Sequence, residues 1–401
     1  MRVLVSAISF PLHPDDGGPR AALDLCLALA RHVEVTVLAP SQPVAAARER
    51  WGDLEVRRFS YFAPRSQQRF RYRVGLRETL HHSMRAQLQI PFFIGAQARA
   101  LRALARELGC DVVHSLGLVP QGLAAAWARG PVRDRRFAHA VSLHGSDAYL
   151  LPRIPGKRAL ARWARARSDA LIASAGNVRE CFERVLGAPS HVRILPPGVD
   201  AAHYRARVEP PAQSPFPDGF VLFAGRLIVQ KGLDVLLRAL PRVRERHPGL
   251  GLVALGDGPL AGELRALARA LGLEPWVRFA GTVDRARVAA HLQACRALCA
   301  PSIVDRRGQA EAAPGVLLEA LAAGARVVAT DAGGVPDLIE PGRSGWLALA
   351  GDPADLAARL LEALDAPLPP GVAAIADAHD WSRVAEQHLE IYERALRGGD
   401  S

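Results

Sequence analysis

Two glutamates interrupt a small and apolar stretch at residues 309–324, and their spacing suits a long polar ligand. Pro314, between them, fits the first position of a helix, where its missing N–H leaves no further donor unpaired. We therefore expect Glu311 on the loop before that helix and Glu319 inside it, ~7 Å along the axis at roughly 1.5 Å per residue. The free amides of the first turn would form an anion site between the two carboxylates, and they belong to Gly315, Val316 and Leu317.

This order of groups matches the order of groups in a nucleotide sugar. Carboxylates accept two hydrogen bonds from neighbouring hydroxyl groups, and amides at a helix start bind phosphate. A nucleotide sugar has hydroxyl groups at both ends and a diphosphate between them. The alternative is that Glu311 and Glu319 lie on a solvent-facing helix. Two glutamates without further motifs around them would favour that interpretation.

Two cations and three glycines follow strands in the same half of the chain. "AGRLIVQKG" (224–232) ends a strand and opens a helix, so Arg226 and Lys231 could neutralise a diphosphate there. Gly225 lies in that loop, and Gly256 and Gly258 in "GDGPL" (256–260) would let the backbone approach a ligand closely. The alternatives are ordinary surface cations and a plain turn. The spacing of these glycines is not that of a dinucleotide fingerprint.

The N-terminal half offers weaker candidates. His144 and Asp147 lie in "LHGSD" (143–147) after an apolar strand, and His114 ends a neighbouring strand. All three could line a ligand-binding cleft. The alternative for each is a polar residue of a surface loop. A loop with Gly17 and Gly18 follows the first strand.

Strands alternate with helices twice along the chain, which predicts an α/β protein of two doubly wound, Rossmann-like domains facing across a cleft. We expect the first domain at 1–204 and the second at 220–382. Four prolines in 205–219 indicate a linker. A final helix near 383–396 is expected to pack back on the first domain.

Composition limits the class of protein. With 49% hydrophobic and 23% charged residues, the chain should be globular, and no apolar run is long enough for a transmembrane helix. The N-terminus is too short and strand-like for a signal peptide. Five cysteines without a C-x-x-C pair suggest reduced thiols in the cytoplasm rather than disulfides or zinc.

The charge is unevenly distributed. Residues 1–205 carry 30 Lys and Arg against 16 Asp and Glu, a net +14, whereas 206–401 carry 21 against 24, a net −3. Arginines alternate with aromatic residues in 65–93, and a second basic cluster covers 153–169. An anionic membrane surface or a lipid diphosphate explains this pattern, and single-stranded nucleic acid and a merely solvated basic face are the alternatives.

Four stretches of the sequence carry a resemblance to a known family. The stretches "FAGRLIVQKGLDVLLRAL", "GDGPL", "EAAPGVLLEALAAGARVVATDAGGVPDLIEPGRSGWL" and "WSRVAEQHLEIYERAL" resemble the retaining family-4 glycosyltransferases of the GT-B fold, of the bacterial exopolysaccharide and cell-surface type. The match covers about 220–395 strongly, and the N-terminal half through the Gly17–Gly18 loop and "LHGSD".

The resemblance implies a role for each matching residue. The first domain would bind the acceptor and the second the nucleotide sugar. Glu319 would bind the donor ribose, Glu311 the transferred sugar, and Arg226 with Lys231 the diphosphate, against which Gly17 and Gly18 would bring backbone. His144 would lie near the anomeric carbon and the acceptor. Asp147 could orient His144 or contact the acceptor, and His114 is a weaker acceptor candidate. The family usually has glycine after the first glutamate, and this chain has Ala312 there, which bears on how the sugar is oriented.

We expect no cofactor and no metal. No D-x-D triplet occurs in the chain, and metal-dependent transferases of the other common fold use such carboxylates to hold a divalent cation. Two other functions stay open: a nucleotide-sugar epimerase or phosphorylase on the same fold, and a non-catalytic basic binding module. No nucleic-acid partner is expected.

Overall fold

The computed structural model describes residues 1–14, 16, 20–43, 45–70, 79, 83–130, 137–208, 214 and 216–398. These residues form two compact units. Unit 1 comprises Met1–Pro196 and Trp381–Ser401, and unit 2 comprises Pro197–Asp380. The division lies eight residues before the boundary expected at 204, because Val199, Ala201 and Tyr204 pack into the core of unit 2.

Unit 1 is built on an eight-stranded sheet with the order β3-β4-β2-β1-β5-β6-β7-β8. Neighbouring strands are parallel except for the β3–β4 hairpin. The strands are β1 (Arg2–Ser6), β2 (Glu34–Pro40), β3 (Arg48–Trp51), β4 (Leu54–Phe59), β5 (Val112–Leu116), β6 (Ala138–Leu143), β7 (Ala170–Ala173) and β8 (Val192–Ile194).

Helices cover both faces of this sheet, and apolar residues from each face form a core. This arrangement explains why the central strands β1, β5 and β6 are buried over almost their whole length. The helices described here are α1 (Ala21–Ala30), α2 (Met84–Leu108), α3 (Leu123–Arg129), α4 (Gly145–Leu150), α5 (Lys157–Arg165), α6 (Gly176–Leu186) and, at the end of the chain, α14 (Trp381–Leu396). Helix α14 packs against α1 through Val384, Ala385 and Tyr392.

Unit 2 contains a six-stranded parallel sheet with the order β11-β10-β9-β12-β13-β14. Its strands are β9 (Phe220–Ala224), β10 (Gly251–Leu255), β11 (Val277–Gly281), β12 (Ala297–Ala300), β13 (Val327–Thr330) and β14 (Trp346–Ala348). Its helices are α7 (Ala201–Arg205), α8 (Leu233–Arg246), α9 (Ala261–Ala270), α10 (Arg285–Ala294), α11 (Gly315–Ala322), α12 (Pro353–Asp365) and α13 (Val372–Ala378).

Parallel strands bring their carboxyl ends to one edge of a sheet, and ligands bind at such edges in open α/β folds. In unit 2, the loops after β9, β10, β12 and β13 therefore meet. In unit 1, the loops after β1, β5, β6 and β7 meet. Among the residues described, no helix combines the length and apolar character needed to cross a bilayer.

Candidate donor and acceptor sites

Lys231 and Glu311 form an ion pair at the carboxyl edge of the unit 2 sheet. The Lys231 Nζ lies 2.5 Å from the Glu311 Oε2, and the two side chains are 17% and 19% exposed. The residues are 80 positions apart in the chain, so folding alone brings them together. A hydrogen bond between two charged groups in such shielded surroundings is stronger than an exposed pair.

Gly225 provides the surface on which Lys231 lies. A Cβ on Gly225 would be 3.2 Å from the Lys231 Cε and 3.3 Å from its Cδ. The absent side chain therefore lets the lysine stem cross the end of β9. Arg226, the next residue, is exposed, and its carbonyl accepts from the Ile228 amide at 2.9 Å.

Gly256 and Gly258 are needed by the packing of the protein itself. A Cβ on Gly256 would lie 1.9 Å from the Gly225 carbonyl oxygen, and one on Gly258 would lie 2.5 Å from that of Leu227. Gly256 also has a φ of +123°. The "GDGPL" loop thus supports the loop that carries Arg226, whether or not it touches a ligand.

Two residues that were not predicted, Asp305 and Gln230, hold the loop before Glu311. The Asp305 Oδ1 accepts from the amides of Arg307 (2.8 Å) and Gln309 (2.9 Å), and the Gln230 Nε2 donates to the Asp305 Oδ2 at 2.6 Å. Gln230 directly precedes Lys231, so this contact joins the loop that carries Lys231 to the loop that leads to Glu311. Asp305 followed by Gly308 is a recognisable turn signal in the sequence.

A second loop supports Glu311 from behind. The Gly334 amide donates to the Glu311 carbonyl oxygen at 3.0 Å, and a Cβ on Gly333 would lie 2.1 Å from that oxygen. No described residue other than glycine has a positive φ, so Ala312 occupies an ordinary backbone conformation. The residue after Glu311 therefore does not need to be glycine in this chain.

Helix α11 begins one residue later than expected. Pro314 is its N-cap, with an extended ψ of 107°, and Gly315 is the first helical residue. The Leu317 amide donates to the Pro314 carbonyl oxygen at 3.1 Å and the residue is buried, so the expectation that this amide is free is wrong. Gly315 and Val316 keep first-turn amides without partners inside the helix. A Cβ on Gly315 would meet no atom within 4 Å.

Glu319 is half-buried and lies beside Tyr204 of α7. The pKa of the Tyr204 phenol is raised by its burial first and then by the negative charge of Glu319, to which its hydroxyl is hydrogen-bonded. Arg285 adds a third group, because its Nε lies 3.4 Å from the Tyr204 hydroxyl oxygen and its guanidinium 5.2 Å from the ring centre. Its Nη2 is 3.4 Å from the Asp200 Oδ2. These side chains fix the direction of the Glu319 carboxylate.

In unit 1, His144 and Asp147 follow β6. The Asp147 carboxylate accepts three backbone amides: His144 at 2.9 Å, and Leu118 and Val119 at 3.0 Å each. Burial raises the pKa of the Asp147 carboxyl to about 6, while these three donors lower it. Its expected contact with an acceptor is wrong, since the side chain is buried and already bonded to the backbone. Asp147 instead joins the loop after β5 to the turn at His144.

His144 itself is half-buried at the N-cap of α4. Desolvation lowers the pKa of its imidazole to about 4, so the ring is neutral at neutral pH. A neutral imidazole can both donate and accept a hydrogen bond, which suits contact with hydroxyl groups.

His114 has a structural role, and its expected contact with an acceptor is also wrong. The residue is fully buried in the middle of β5 rather than at its end. Its Nε2 lies 2.8 Å from the Ser142 Oγ and its Nδ1 2.7 Å from the Tyr392 hydroxyl oxygen of α14. Burial and three nearby histidines hold its pKa well below the usual value. The imidazole therefore fastens the last helix to the sheet.

Gly17 and Gly18, the expected phosphate contacts of the first unit, lie outside the described residues. Among the residues that are described, no three His, Cys, Asp or Glu side chains are grouped so as to hold a metal ion.

Two family models match the chain, one in each half. The model described as Glycosyltransferase Family 4 matches residues 16–203, and the model described as Glycosyl transferases group 1 matches residues 219–366. The chain belongs to the group 1, family-4 glycosyltransferases.

Curated relatives agree with this assignment. Glycogen synthase of Mycobacterium tuberculosis is 29% identical over 303 residues, covering 74% of this chain and 66% of that protein. D-inositol 3-phosphate glycosyltransferase of Acidothermus cellulolyticus is 30% identical over 315 residues, covering 74% and 64%. The matches thus span slightly less than two thirds of the length of these relatives.

Solved structures share the fold. Sucrose-phosphate synthase from Thermosynechococcus elongatus superposes with a TM-score of 0.72 at 19% identity, covering 99% of this chain and 100% of the other. Anabaena HepE in complex with UDP gives a TM-score of 0.67 at 20% identity, covering 98% and 100%. The predicted GT-B fold is confirmed.

Proposed function

We propose that this chain is a hexosyltransferase that moves a sugar from a UDP- or GDP-linked donor to a glycan or lipid-diphosphate-linked acceptor. The observation that carries the proposal is the Lys231–Glu311 pair beside the start of α11. It brings a cation, a carboxylate and first-turn amides to the carboxyl edge of one parallel sheet, where diphosphates bind in such folds. Membership of the glycosyltransferase family supports the same reaction.

In this proposal each group of unit 2 acts on one part of the donor. Lys231 and Arg226, with the amides of Gly315 and Val316, neutralise the diphosphate as the bond from the anomeric carbon to the phosphate oxygen breaks. Glu311 binds hydroxyl groups of the sugar. Glu319, fixed by its neighbours, binds the ribose hydroxyl groups.

We also propose that configuration at the anomeric carbon is retained. The acceptor hydroxyl would form its bond on the face from which the diphosphate leaves, and its proton would pass to the departing phosphate oxygen. His144 would contact the sugar or the acceptor as a neutral ring. No metal is needed, because fixed cations and amides supply the positive charge.

The acceptor and cellular setting are proposed from charge. Residues 1–205 carry a net +14, which suits an anionic acceptor or an anionic surface. A role in cell-surface or exopolysaccharide synthesis, on the cytoplasmic side of the plasma membrane, fits this charge. The two named relatives differ in the compound that their names mention, which is glycogen for one and D-inositol 3-phosphate for the other.

A donor panel followed by thermal shift tests the proposal. At a ligand concentration of 100 Kd, binding stabilises the folded state by about 2.7 kcal/mol, which shifts Tm by roughly 5–10 °C for a unit of this size. We expect one of the UDP- or GDP-sugars to produce this shift, with or without EDTA. Absence of any shift across the panel would contradict the proposal.

Turnover separates the remaining functions. An epimerase would convert the donor without an acceptor, and a phosphorylase would need phosphate as its second substrate. A non-catalytic module would keep its binding function after Glu311→Ala and Lys231→Ala. The proposed transferase instead requires both an acceptor and these two side chains.

A further inference from the structure

Helix α2 of unit 1 presents large apolar side chains to solvent along its first half. Met84, Leu88 and Phe92 are 78%, 71% and 59% exposed. They are spaced four residues apart, so they form a stripe on one face of the helix. The opposite face of the same helix is buried, with Phe93 and Leu101 in the core.

Trp127 of the neighbouring helix α3 extends this stripe. Its side chain is 57% exposed, and a Cβ on Gly95 of α2 would lie only 3.8 Å from its ring. The Phe92 ring also contacts that of Phe62, with centroids 5.6 Å apart. We call Met84, Leu88, Phe92 and Trp127 the apolar strip. Contiguous exposed apolar surface of this kind marks an interaction site.

The strip is bordered by arginines. Helix α2 carries Arg85 and Arg99 on its exposed surface, and residues 84–106 contain no aspartate or glutamate. The loop holding Arg65 and Arg69 is fixed against the helix, because Gln89 accepts from the Arg69 amide at 3.2 Å and donates to the loop at 2.9 Å. Apolar surface surrounded by positive charge is complementary to an anionic lipid surface.

We propose that the apolar strip docks unit 1 on an anionic bilayer, with these four side chains inserted to the boundary between headgroups and acyl chains. Met, Leu, Phe and Trp are suited to that depth, and the bordering arginines remain at the level of the phosphates. Docking of this kind is reversible and weakens with salt. It would bring a lipid-linked acceptor to the enzyme, and it does not depend on the proposed transfer reaction.

Flotation with vesicles tests the proposal. Vesicles of phosphatidylcholine with 30% phosphatidylglycerol are compared with vesicles of phosphatidylcholine alone, using the whole chain. We expect binding to the anionic vesicles that falls at least tenfold between 50 and 300 mM KCl, concentrations chosen because the Debye length falls below about 10 Å over that range. We also expect a blue shift of tryptophan fluorescence on binding, lost in Trp127→Phe.

Two matched pairs of variants locate the surface. Leu88→Ser with Phe92→Ser should weaken vesicle binding on the order of 100-fold, whereas Leu349→Ser with Leu368→Ser, exposed positions in unit 2, should not. Arg65→Glu with Arg85→Glu should weaken it about 20-fold or more, whereas Arg238→Glu with Arg242→Glu, the same change in net charge, should have a smaller effect.

Three results would overturn the proposal: no binding of the wild type to anionic vesicles, equal binding to both kinds of vesicle, or unchanged binding of the Leu88 and Phe92 variant. Self-association through the strip without vesicle binding would also overturn it. All variants should keep the thermal shift with the donor. A wild type that binds vesicles but no donor would leave the docking proposal standing and contradict the proposed function.

Discussion

The Lys231–Glu311 pair can be tested by a double-mutant cycle. Lys231→Met keeps the stem that lies over Gly225 and removes the charge, and Glu311→Gln keeps the shape of the other partner. Hydrogen bonds between charged groups contribute about 1.5–3 kcal/mol, and less than a fifth of each side chain is exposed, so little of this is lost to solvent screening. Each single variant should lower the free energy of unfolding by about 1.5–3 kcal/mol.

The double variant should lose no more than about the larger single loss, because the first change already breaks the pair and the second removes an unpaired charge. Urea denaturation without ligand measures all four proteins, and a coupling energy of about 1.5–3 kcal/mol, equal to the smaller single loss or more, is expected. Strictly additive losses, with coupling below about 0.3 kcal/mol, would refute the pairing. Gly262→Ala, in open space on α9, is a control that should not lower stability, because alanine favours a helix more than glycine does.

Three further outcomes are expected. Gly256→Ala should destabilise unit 2 by about 3 kcal/mol or more, because its Cβ would lie 1.9 Å from the Gly225 carbonyl oxygen. Gly315→Ala should instead leave stability intact and weaken donor binding, because a Cβ there meets no protein atom within 4 Å. Denaturation measures the stability of both variants, and calorimetry measures donor binding. Tyr204→Phe should raise Kd for the nucleoside diphosphate by about 3–10-fold, because it releases the Glu319 carboxylate. The same variant should change Kd less for a 2′-deoxy nucleotide. Tyr392→Phe removes a buried hydroxyl group in unit 1 and serves as the control that should leave Kd unchanged. Burial lowers the pKa values of His139 and His388 to about 4, so both rings stay neutral in the folded protein. As pH falls below 6.5, the unfolded chain binds protons at these histidines before the folded protein does, and each histidine should lower the free energy of unfolding by about 2 kcal/mol by pH 5. Unchanged stability between pH 7.5 and 5 would contradict their burial.

The alternation of strands and helices predicted both sheets, because parallel strands buried on two faces leave long apolar runs in the sequence. The β3–β4 hairpin was missed, although Gly52 and Asp53 between its strands are a usable turn signal. The exposed face of α2 was missed for a different reason. Its stretch was interpreted through its arginines, and exposure of Met84, Leu88 and Phe92 depends on which elements cover them.

The site was predicted only in part. Residue types and local order suggested Glu311, Lys231 and the start of α11, since these follow from strand ends and a proline. Contacts between distant positions were not accessible from spacing. Lys231 meets Glu311 across 80 residues, and Tyr204 reaches Glu319 from α7. The predicted acceptor contact of His114 was wrong because α14 covers this residue, and its partner there, Tyr392, lies 278 positions away in the chain.

The central claim is that this chain transfers a sugar from a nucleotide donor through the site around Lys231. Proton NMR of the wild type with the UDP- and GDP-sugar panel and a glycan or lipid-linked acceptor tests it most directly, because it follows donor loss, nucleoside diphosphate release and the new anomeric signal together. We predict acceptor-dependent release from one donor, with the anomeric configuration retained and the rate reduced at least 100-fold in Lys231→Met. Release that needs no acceptor, an inverted product, or an unchanged rate in that variant would contradict the account.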